Sequence, residues 1–180
     1  MTTREAAEVL RRQDNVLILT HRRPDGDTVG CAVALCRALR QLGKTAWLLS
    51  NPDITATNSI YAQGLWAPAD FVPGFVVAVD IASRGLFFPG SEGYLDKVDL
   101  TIDHHPSQEL FASETCLEAD KAACGEILYE ICRELGEITP EVALPLYVAV
   151  STDTGCFVYA NTTANTHRVA AALIDRKSVV

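Results

Sequence analysis

Residues 15–27 read NVLILTHRRPDGD, an apolar run that passes directly into a polar loop. The first six residues have the length and aliphatic composition of a strand buried on both faces of a parallel sheet. The loop after them combines one histidine and two aspartates with the turn formers Pro24 and Gly26. Apolar residues at helical spacing follow over residues 29–43, with a stop at Gly43. This order predicts an α/β unit with polar side chains at the carboxyl end of its strand.

The same alternation of strands and helices continues along the chain. Further strands are predicted at residues 45–50, 75–80 and 99–103. Helices are predicted over residues 2–12, with Thr2 and Glu5 as a capping box, around 59–65, over 123–135, from Pro140 with a kink or an early interruption at Pro145, and over 163–175. The pattern indicates an α/β fold with a largely parallel sheet and helices on both faces, formed by residues 1–180 as one domain.

The composition excludes several classes of protein. With 48% hydrophobic and 21% charged residues, the chain is expected to be globular rather than disordered. No apolar run approaches the ~20 residues that span a bilayer, and the polar start has no signal-peptide pattern, so we expect a cytoplasmic protein without a membrane partner. The formal net charge of −8 argues against binding long duplex nucleic acid, which relies on many contacts from lysine and arginine to phosphate. The six cysteines include no C-x-x-C pair and are interpreted as buried structural residues.

Residues that commonly ligate metals follow the apolar segments. Three of the predicted strands and the apolar run at residues 144–150 each end in such residues. Because ligands bind beyond the carboxyl ends of parallel strands, we expect these side chains to lie together. In chain order they are His21, Asp25, Asp27, Asp80, Asp103, His104, His105 and Asp153.

Each of these clusters also has a purely structural interpretation. The loop around Pro24 and Gly26 would form a turn without any further function, Asp80 would end a strand, and Gly155 would cap a helix after Asp153. Two adjacent histidines after a buried strand are harder to explain, because they are costly to desolvate unless paired or ligating. Four carboxylates in one crevice would repel each other unless cations held them. A mixed set of imidazole and carboxylate ligands suits Mn²⁺, Fe²⁺ or Co²⁺ better than Mg²⁺.

These residues form an ordered set of motifs. HRRPDGDTVG at residues 21–30, the isolated Asp80, DHH at residues 103–105 and TDTGCF at residues 152–157 resemble the four motifs of the DHH phosphoesterase superfamily. The first and last motifs are most similar to those of nanoRNases, which degrade very short oligoribonucleotides and remove the 3′-phosphate from adenosine 3′,5′-bisphosphate. RecJ exonucleases, cyclic-di-AMP phosphodiesterases and family II pyrophosphatases share the metal site, so cyclic dinucleotides, single-stranded DNA and pyrophosphate stay open as alternative substrates.

The resemblance implies a role for each residue. It assigns two divalent cations, most favourably Mn²⁺, to His21 and Asp25 on one side and to Asp27, His104 and Asp153 on the other, with Asp80 shared. Asp103 would orient His104. His105 would face the substrate, which a hydroxide shared by the two cations attacks at phosphorus. The implied partner is a short oligoribonucleotide or a nucleoside bisphosphate.

Two departures from the family pattern leave a second function open. Gln108 stands where asparagine is often found, and residues 1–180 contain no GGGH segment of the kind that clamps substrate in nanoRNases. We therefore expect a catalytic domain without the C-terminal substrate-binding domain. The alternative is a metal-binding regulatory domain without catalytic activity.

Four further residues have open assignments. Three arginines near the metal-liking residues could contact substrate phosphate or be solvated, and His167 is expected at a surface or interface. The three arginines are Arg22, Arg23 and Arg84. The oligomeric state cannot be predicted from these patterns.

Overall fold

A sheet of five parallel strands forms the centre of the fold in the computed structural model, which describes residues 1–176. The order of the strands across the sheet is β2-β1-β3-β4-β5. Strands β1, β3 and β4 are buried along their whole length, which explains the unbroken apolar sequences of β1 and β3; β4 also buries Thr101 and Asp103. The strands are β1 (Val16–Leu19), β2 (Ala46–Leu48), β3 (Phe75–Val79), β4 (Leu100–Asp103) and β5 (Glu114–Leu117).

Six α-helices connect and cover the strands. The first begins with the predicted capping box, in which the Thr2 hydroxyl accepts from the Glu5 amide and the Glu5 carboxylate accepts from the Thr2 amide. The helices are α1 (Thr3–Arg12), α2 (Gly26–Gln41), α3 (Ala56–Ser59), α4 (Cys124–Leu135), α5 (Pro140–Asp153) and α6 (Ala164–Ile174). Short 3-10 helices lie at Ile60–Ala62, Arg84–Leu86 and Glu92–Lys97.

The two faces of the sheet are covered differently. Alternate strand residues such as Ile18 and Val77 pack with the apolar sides of the long α-helices in the main core. Residues of the opposite face, such as Leu17 and Val76, pack with side chains from the two 3-10 helices after β3 and from loops. The predicted α/β fold with a parallel sheet is confirmed, and the helices on its second face are 3-10 helices.

Two elements differ from their sequence predictions. Strand β5 was not predicted, because it lies at the edge of the sheet and only Cys116 of its four residues is buried. Of the kink or early interruption expected at Pro145, the interruption is wrong, since α5 continues through this residue. Proline cannot donate to the carbonyl four residues earlier, so the helix lacks one backbone hydrogen bond there. That carbonyl, of Glu141, accepts instead from Arg37 Nη1 at 2.6 Å and is not left unpaired.

Two points concern the chain as a whole. None of the helices within residues 1–176 combines the length and apolar character needed to cross a membrane. The predicted domain bound at residue 180 lies outside the described residues, so the structure does not test it.

Candidate metal centre

All eight predicted site residues meet at the carboxyl edge of the sheet. His21 and Asp80 follow strands β1 and β3, and Asp103 is the last residue of β4. Asp27 lies in the first turn of α2 and Asp153 is the last residue of α5. The sequence placed Asp27 in a loop, but Asp25 caps α2 by accepting from the amides of residues 27 and 28, so the helix starts at residue 26.

Potential ligand atoms form three groups of three within the described residues, one of which, made of Asp80, His104 and His105, shares a residue with each of the other two. One atom from each of His21, Asp25 and Asp80 lies within 4.8 Å of the others. The same holds for a second group, which consists of Asp27, His104 and Asp153. These are the two ligand sets that the resemblance implied; their role as metal ligands stays a prediction.

Asp80 lies between the two groups. Its Oδ2 atom is 3.7 Å from His21 Nε2, and its Oδ1 atom is 3.6 Å from His104 Nε2. The backbone of Asp80 is left-handed, with φ of 59°, a strained conformation for a residue other than glycine. The two oxygens of this carboxylate therefore face different histidines.

Three buried atoms in this cluster have no hydrogen-bond partner among the described residues: Asp80 Oδ1, Asp103 Oδ2 and His104 Nε2. The other ring nitrogen of His104 lies 3.1 Å from the Lys121 carbonyl, which can only accept, so in the neutral ring that nitrogen carries the proton and Nε2 presents a lone pair. An unpaired buried polar atom costs about 1–3 kcal/mol. A divalent cation would satisfy Asp80 Oδ1 and His104 Nε2, so the residues present fit a metal site.

Asp27 is fully buried at the start of α4. Its two oxygens accept from the amides of Cys124, at 2.8 Å, and Gly125, at 2.9 Å. These first-turn amides and the helix dipole favour a negative charge there. Burial nevertheless raises the pKa of Asp27 to about 8, with the charge of Asp153 as a further cause.

Two other carboxylates of the cluster are affected in the same way. Burial raises the pKa of Asp80 well above its ordinary value, and the charge of Asp27 adds to the effect. Burial also raises the pKa of Asp153. Without a cation Asp27 therefore holds a proton at neutral pH, and a bound cation would displace it.

Asp25 and His21, of the first ligand group, behave differently. Burial favours a neutral Asp25, but His21, 3.7 Å away, and the amides of Thr28 and Asp27 together outweigh burial and lower the pKa of Asp25. Burial likewise favours a neutral His21, but Asp25, the Arg22 carbonyl and the charge of Asp27 together outweigh it and raise the pKa of that imidazole. The two side chains stabilise each other's charged forms.

Asp103 organises the two histidines that follow it. Its Oδ1 atom accepts from the amides of His104, at 2.8 Å, and His105, at 3.2 Å, and lies 2.8 Å from His105 Nδ1. The hydrogen bond to the ring raises the pKa of His105. The resemblance implied that Asp103 orients His104; Asp103 contacts the backbone of His104 and the ring of His105, while the ring of His104 lies against the Lys121 carbonyl.

The remaining candidates divide into two pairs. Arg22 and Arg23 line the same cavity as the cluster. Arg84 forms an exposed ion pair with Asp96 at 2.9 Å, and the His167 ring lies 5.5 Å from Phe157, outside both ligand groups. The structure thus brings two of the four open candidates to the site.

Sequence reasoning missed groups that contribute through their backbone. These are the Lys121 carbonyl and the amides of Cys124 and Gly125. The side chains of these residues do not indicate a role at the site. The one usable signal in the sequence was the helix predicted to start at residue 123, because the amides at a helix start favour a carboxylate nearby.

A cavity of about 380 Å³ opens beside the cluster. A larger cavity, of about 740 Å³, lies at the amino ends of β3 and β4, and the charged residues of its lining are Lys97 and Asp99. Cavity size therefore does not locate the site. The smaller cavity is lined by His21, Arg22, Arg23, Asp25, Asp80, Leu86, His105 and Asp153.

Comparison with known proteins gives matches over most of the chain. Residues 15–150 match the family described as DHH family, N-terminal domain. The bifunctional oligoribonuclease and PAP phosphatase NrnA of Thermus thermophilus is 35% identical, over 95% of this chain and 53% of that protein. The protein of the same name from Mycoplasma genitalium is 30% identical, over 97% of this chain and 57% of that protein. The chain thus spans about half the length of the curated relatives it matches.

A solved structure shares the fold. An exopolyphosphatase-related protein from Bacteroides fragilis superposes with a TM-score of 0.78 at 18% identity, over 98% of this chain and 57% of that one. At this identity the match concerns the fold alone.

Proposed function

The chain belongs to the DHH family, and on this basis we propose that it is a phosphoesterase domain that hydrolyses short oligoribonucleotides or adenosine 3′,5′-bisphosphate. The substrate classes are those in the names of the relatives from T. thermophilus and M. genitalium. The observation that carries the proposal is the position of Asp80 between two ligand groups. One carboxylate oxygen lies 3.7 Å from His21 Nε2 and the other lies 3.6 Å from His104 Nε2. A carboxylate placed in this way suits a centre of two cations.

Six side chains would hold the cations. His21 and Asp25 would bind one, and Asp80 would be shared. The second would be held by Asp27, His104 and Asp153. Manganese is the favoured metal, because the set mixes imidazole with carboxylate. When bound, the cations would supply positive charge that favours hydroxide over water and offsets charge on the phosphate oxygens.

His105 would act on the substrate. Its Nδ1 atom is held by Asp103 at 2.8 Å, which leaves Nε2 on the opposite side of the ring. Because this contact raises the pKa of His105, the imidazolium form is favoured. Nε2 would then donate its proton to the scissile phosphate or to the leaving oxygen.

The test is hydrolysis of a short oligoribonucleotide and of adenosine 3′,5′-bisphosphate by the 180-residue chain with Mn²⁺. We expect Asp80→Asn to lower kcat at least about a hundredfold, since even partners of metal ligands contribute 10–100-fold. Asp70→Asn, an exposed aspartate away from the site, is the matched control and should retain activity.

The same assay decides between this proposal and a catalytically idle metal-binding domain. An idle domain would bind Mn²⁺ in calorimetry and turn over neither substrate. Full activity in Asp80→Asn would contradict the two-cation centre. The cytoplasmic location and the oligomeric state stay outside this test.

A further inference from the structure

Two arginines share the cavity with the candidate metal centre. Arg22 and Arg23 are exposed and line it together with His21 and Asp25. Within residues 1–176, neither guanidinium group has an ion pair or a side-chain hydrogen bond. Arg84, by contrast, is paired with an aspartate 2.9 Å away. The two arginine charges are thus available to a ligand in the cavity.

The loop that carries these arginines is held in place by its neighbours. The Arg22 amide donates to the Leu86 carbonyl at 2.7 Å, and Asn51 Nδ2 donates to the His21 carbonyl at 2.9 Å. Arg23 has a left-handed backbone, with φ of 51°, directly before a proline, where few conformations are allowed. Such a strained residue persists only where surrounding contacts hold it. The loop is therefore preorganised.

The charges in the cavity favour an anion at these arginines. The cluster holds four carboxylates, two divalent cations would balance them, and the two guanidinium charges would then remain. Guanidinium groups bind phosphate oxygens through paired hydrogen bonds. The scissile phosphate would lie against the cations, so a second phosphate is the group that these charges suit. A cavity of about 380 Å³ falls within the usual range for small-molecule sites.

We propose that Arg22 and Arg23 bind the non-scissile phosphate of the substrate, so that the site selects nucleotides with a second phosphate over nucleoside monophosphates. This inference rests on the proposed function and names the residues that choose its substrate. It applies to the 5′-phosphate of a nucleoside bisphosphate and to that of a short 5′-phosphorylated oligoribonucleotide.

The test compares release of the 3′-phosphate from adenosine 3′,5′-bisphosphate and from adenosine 3′-monophosphate. In Arg22→Ala and in Arg23→Ala, we expect the ratio of the two kcat/KM values to fall about tenfold in favour of the monophosphate, because a charge-assisted hydrogen bond contributes about 1.5–3 kcal/mol. Arg22→Lys and Arg23→Lys should give intermediate ratios. Arg84→Ala is the matched control and should leave the ratio unchanged. A ratio within about twofold of the wild-type value in both alanine variants would overturn the inference.

A binding measurement separates this inference from the proposed function. If the wild-type chain with Mn²⁺ hydrolyses neither nucleotide, the proposed function fails and the subsite is judged by calorimetry with adenosine 5′-monophosphate. Binding at least about fivefold weaker in the arginine-to-alanine variants supports the subsite, and unchanged binding overturns it. Circular dichroism checks that each variant is folded, and Arg→Gln replaces any alanine variant that is not.

Discussion

At the residue scale, Asp103 shows how one buried carboxylate organises a site without facing its ligand. It accepts from two consecutive backbone amides and from the ring of His105. The ring contact raises the pKa of His105, so the imidazolium form persists to higher pH. A proton donor to phosphate needs this form. Asp103 thus acts through its neighbour.

We expect Asp103→Asn to lower the pKa of His105 towards the ordinary value of about 6.5, because an amide lacks the charge that stabilises the imidazolium. The pKa is measured by NMR titration of the His105 ring in the metal-free chain. Asp70→Asn is the control and should not change this titration. A His105 pKa that stays the same or rises in Asp103→Asn would show that another group sets it.

At the scale of the elements, close helix packing positions the acidic ligands. Helix α2 carries Asp27 and packs against α5, which carries Asp153. Their closest approach is at Gly30, where a Cβ atom would collide with the Pro145 carbonyl and lie 2.9 Å from Ala149 Cβ. The absence of a side chain at Gly30 allows the two helices to hold both ligands at one site.

Gly30→Ala should therefore destabilise the fold. Alanine favours helix by about 1 kcal/mol over glycine, but overpacking against a backbone carbonyl costs typically 1–3 kcal/mol, so we expect a net loss of about 1–2 kcal/mol. Urea denaturation measures the change in the free energy of unfolding. Gly93→Ala is the control, since a Cβ atom there meets nothing within 4 Å. Equal stability of the two variants would mean that α2 and α5 separate easily.

At the scale of the whole molecule, the parallel sheet concentrates negative charge at one edge. All five strands run in the same direction, so the segments that follow them end together. This edge collects five aspartates, four of them in the ligand groups and the fifth Asp103, in a chain with a net charge of −8. In the metal-free protein, burial and mutual repulsion raise the pKa values of Asp27, Asp80 and Asp153. The centre therefore links stability to both pH and divalent cations.

The sign of this linkage follows from Asp27. Its pKa is about 8 in the folded, metal-free chain and about 3.9 when unfolded, so the folded state binds more protons between these values. The stabilisation is complete below the unfolded pKa and is lost as the pH rises through about 8. We expect Tm of the metal-free chain to fall from pH 6 to pH 8.5. The free energy of unfolding should decrease by up to about 1.4 kcal/mol per pH unit for each proton released.

Mn²⁺ should act in the opposite direction, because its binding requires deprotonated carboxylates. Thermal denaturation with and without Mn²⁺ should show a larger gain in Tm at pH 8.5 than at pH 6. In Asp27→Asn, both the fall of the metal-free Tm with pH and the pH dependence of the gain in Tm with Mn²⁺ should be smaller. A metal-free Tm that rises over this range would contradict the raised pKa values.

The sequence by itself determined the buried strands and the chemistry that follows them. Strands β1 and β3 are buried on both faces, so their sequences are unbroken apolar runs, and the polar residues after each run and at the end of β4 were visible as candidate ligands. The start of α1 was predictable for the same local reason, since its capping box lies within four residues. Local patterns were sufficient wherever burial or capping depends on adjacent residues.

Only the tertiary structure decided what depends on residues distant in the chain. Strand β5 has one buried residue, because it lies at the sheet edge, and hence carries no apolar signal. The Glu141 carbonyl, which Pro145 cannot pair within α5, is paired by Arg37, 104 residues away in the chain. The proton on the His104 ring is placed by the Lys121 backbone, and Asp27 is held by amides of α4. Backbone groups are the same in every residue, so no sequence pattern shows which of them a fold brings to a site.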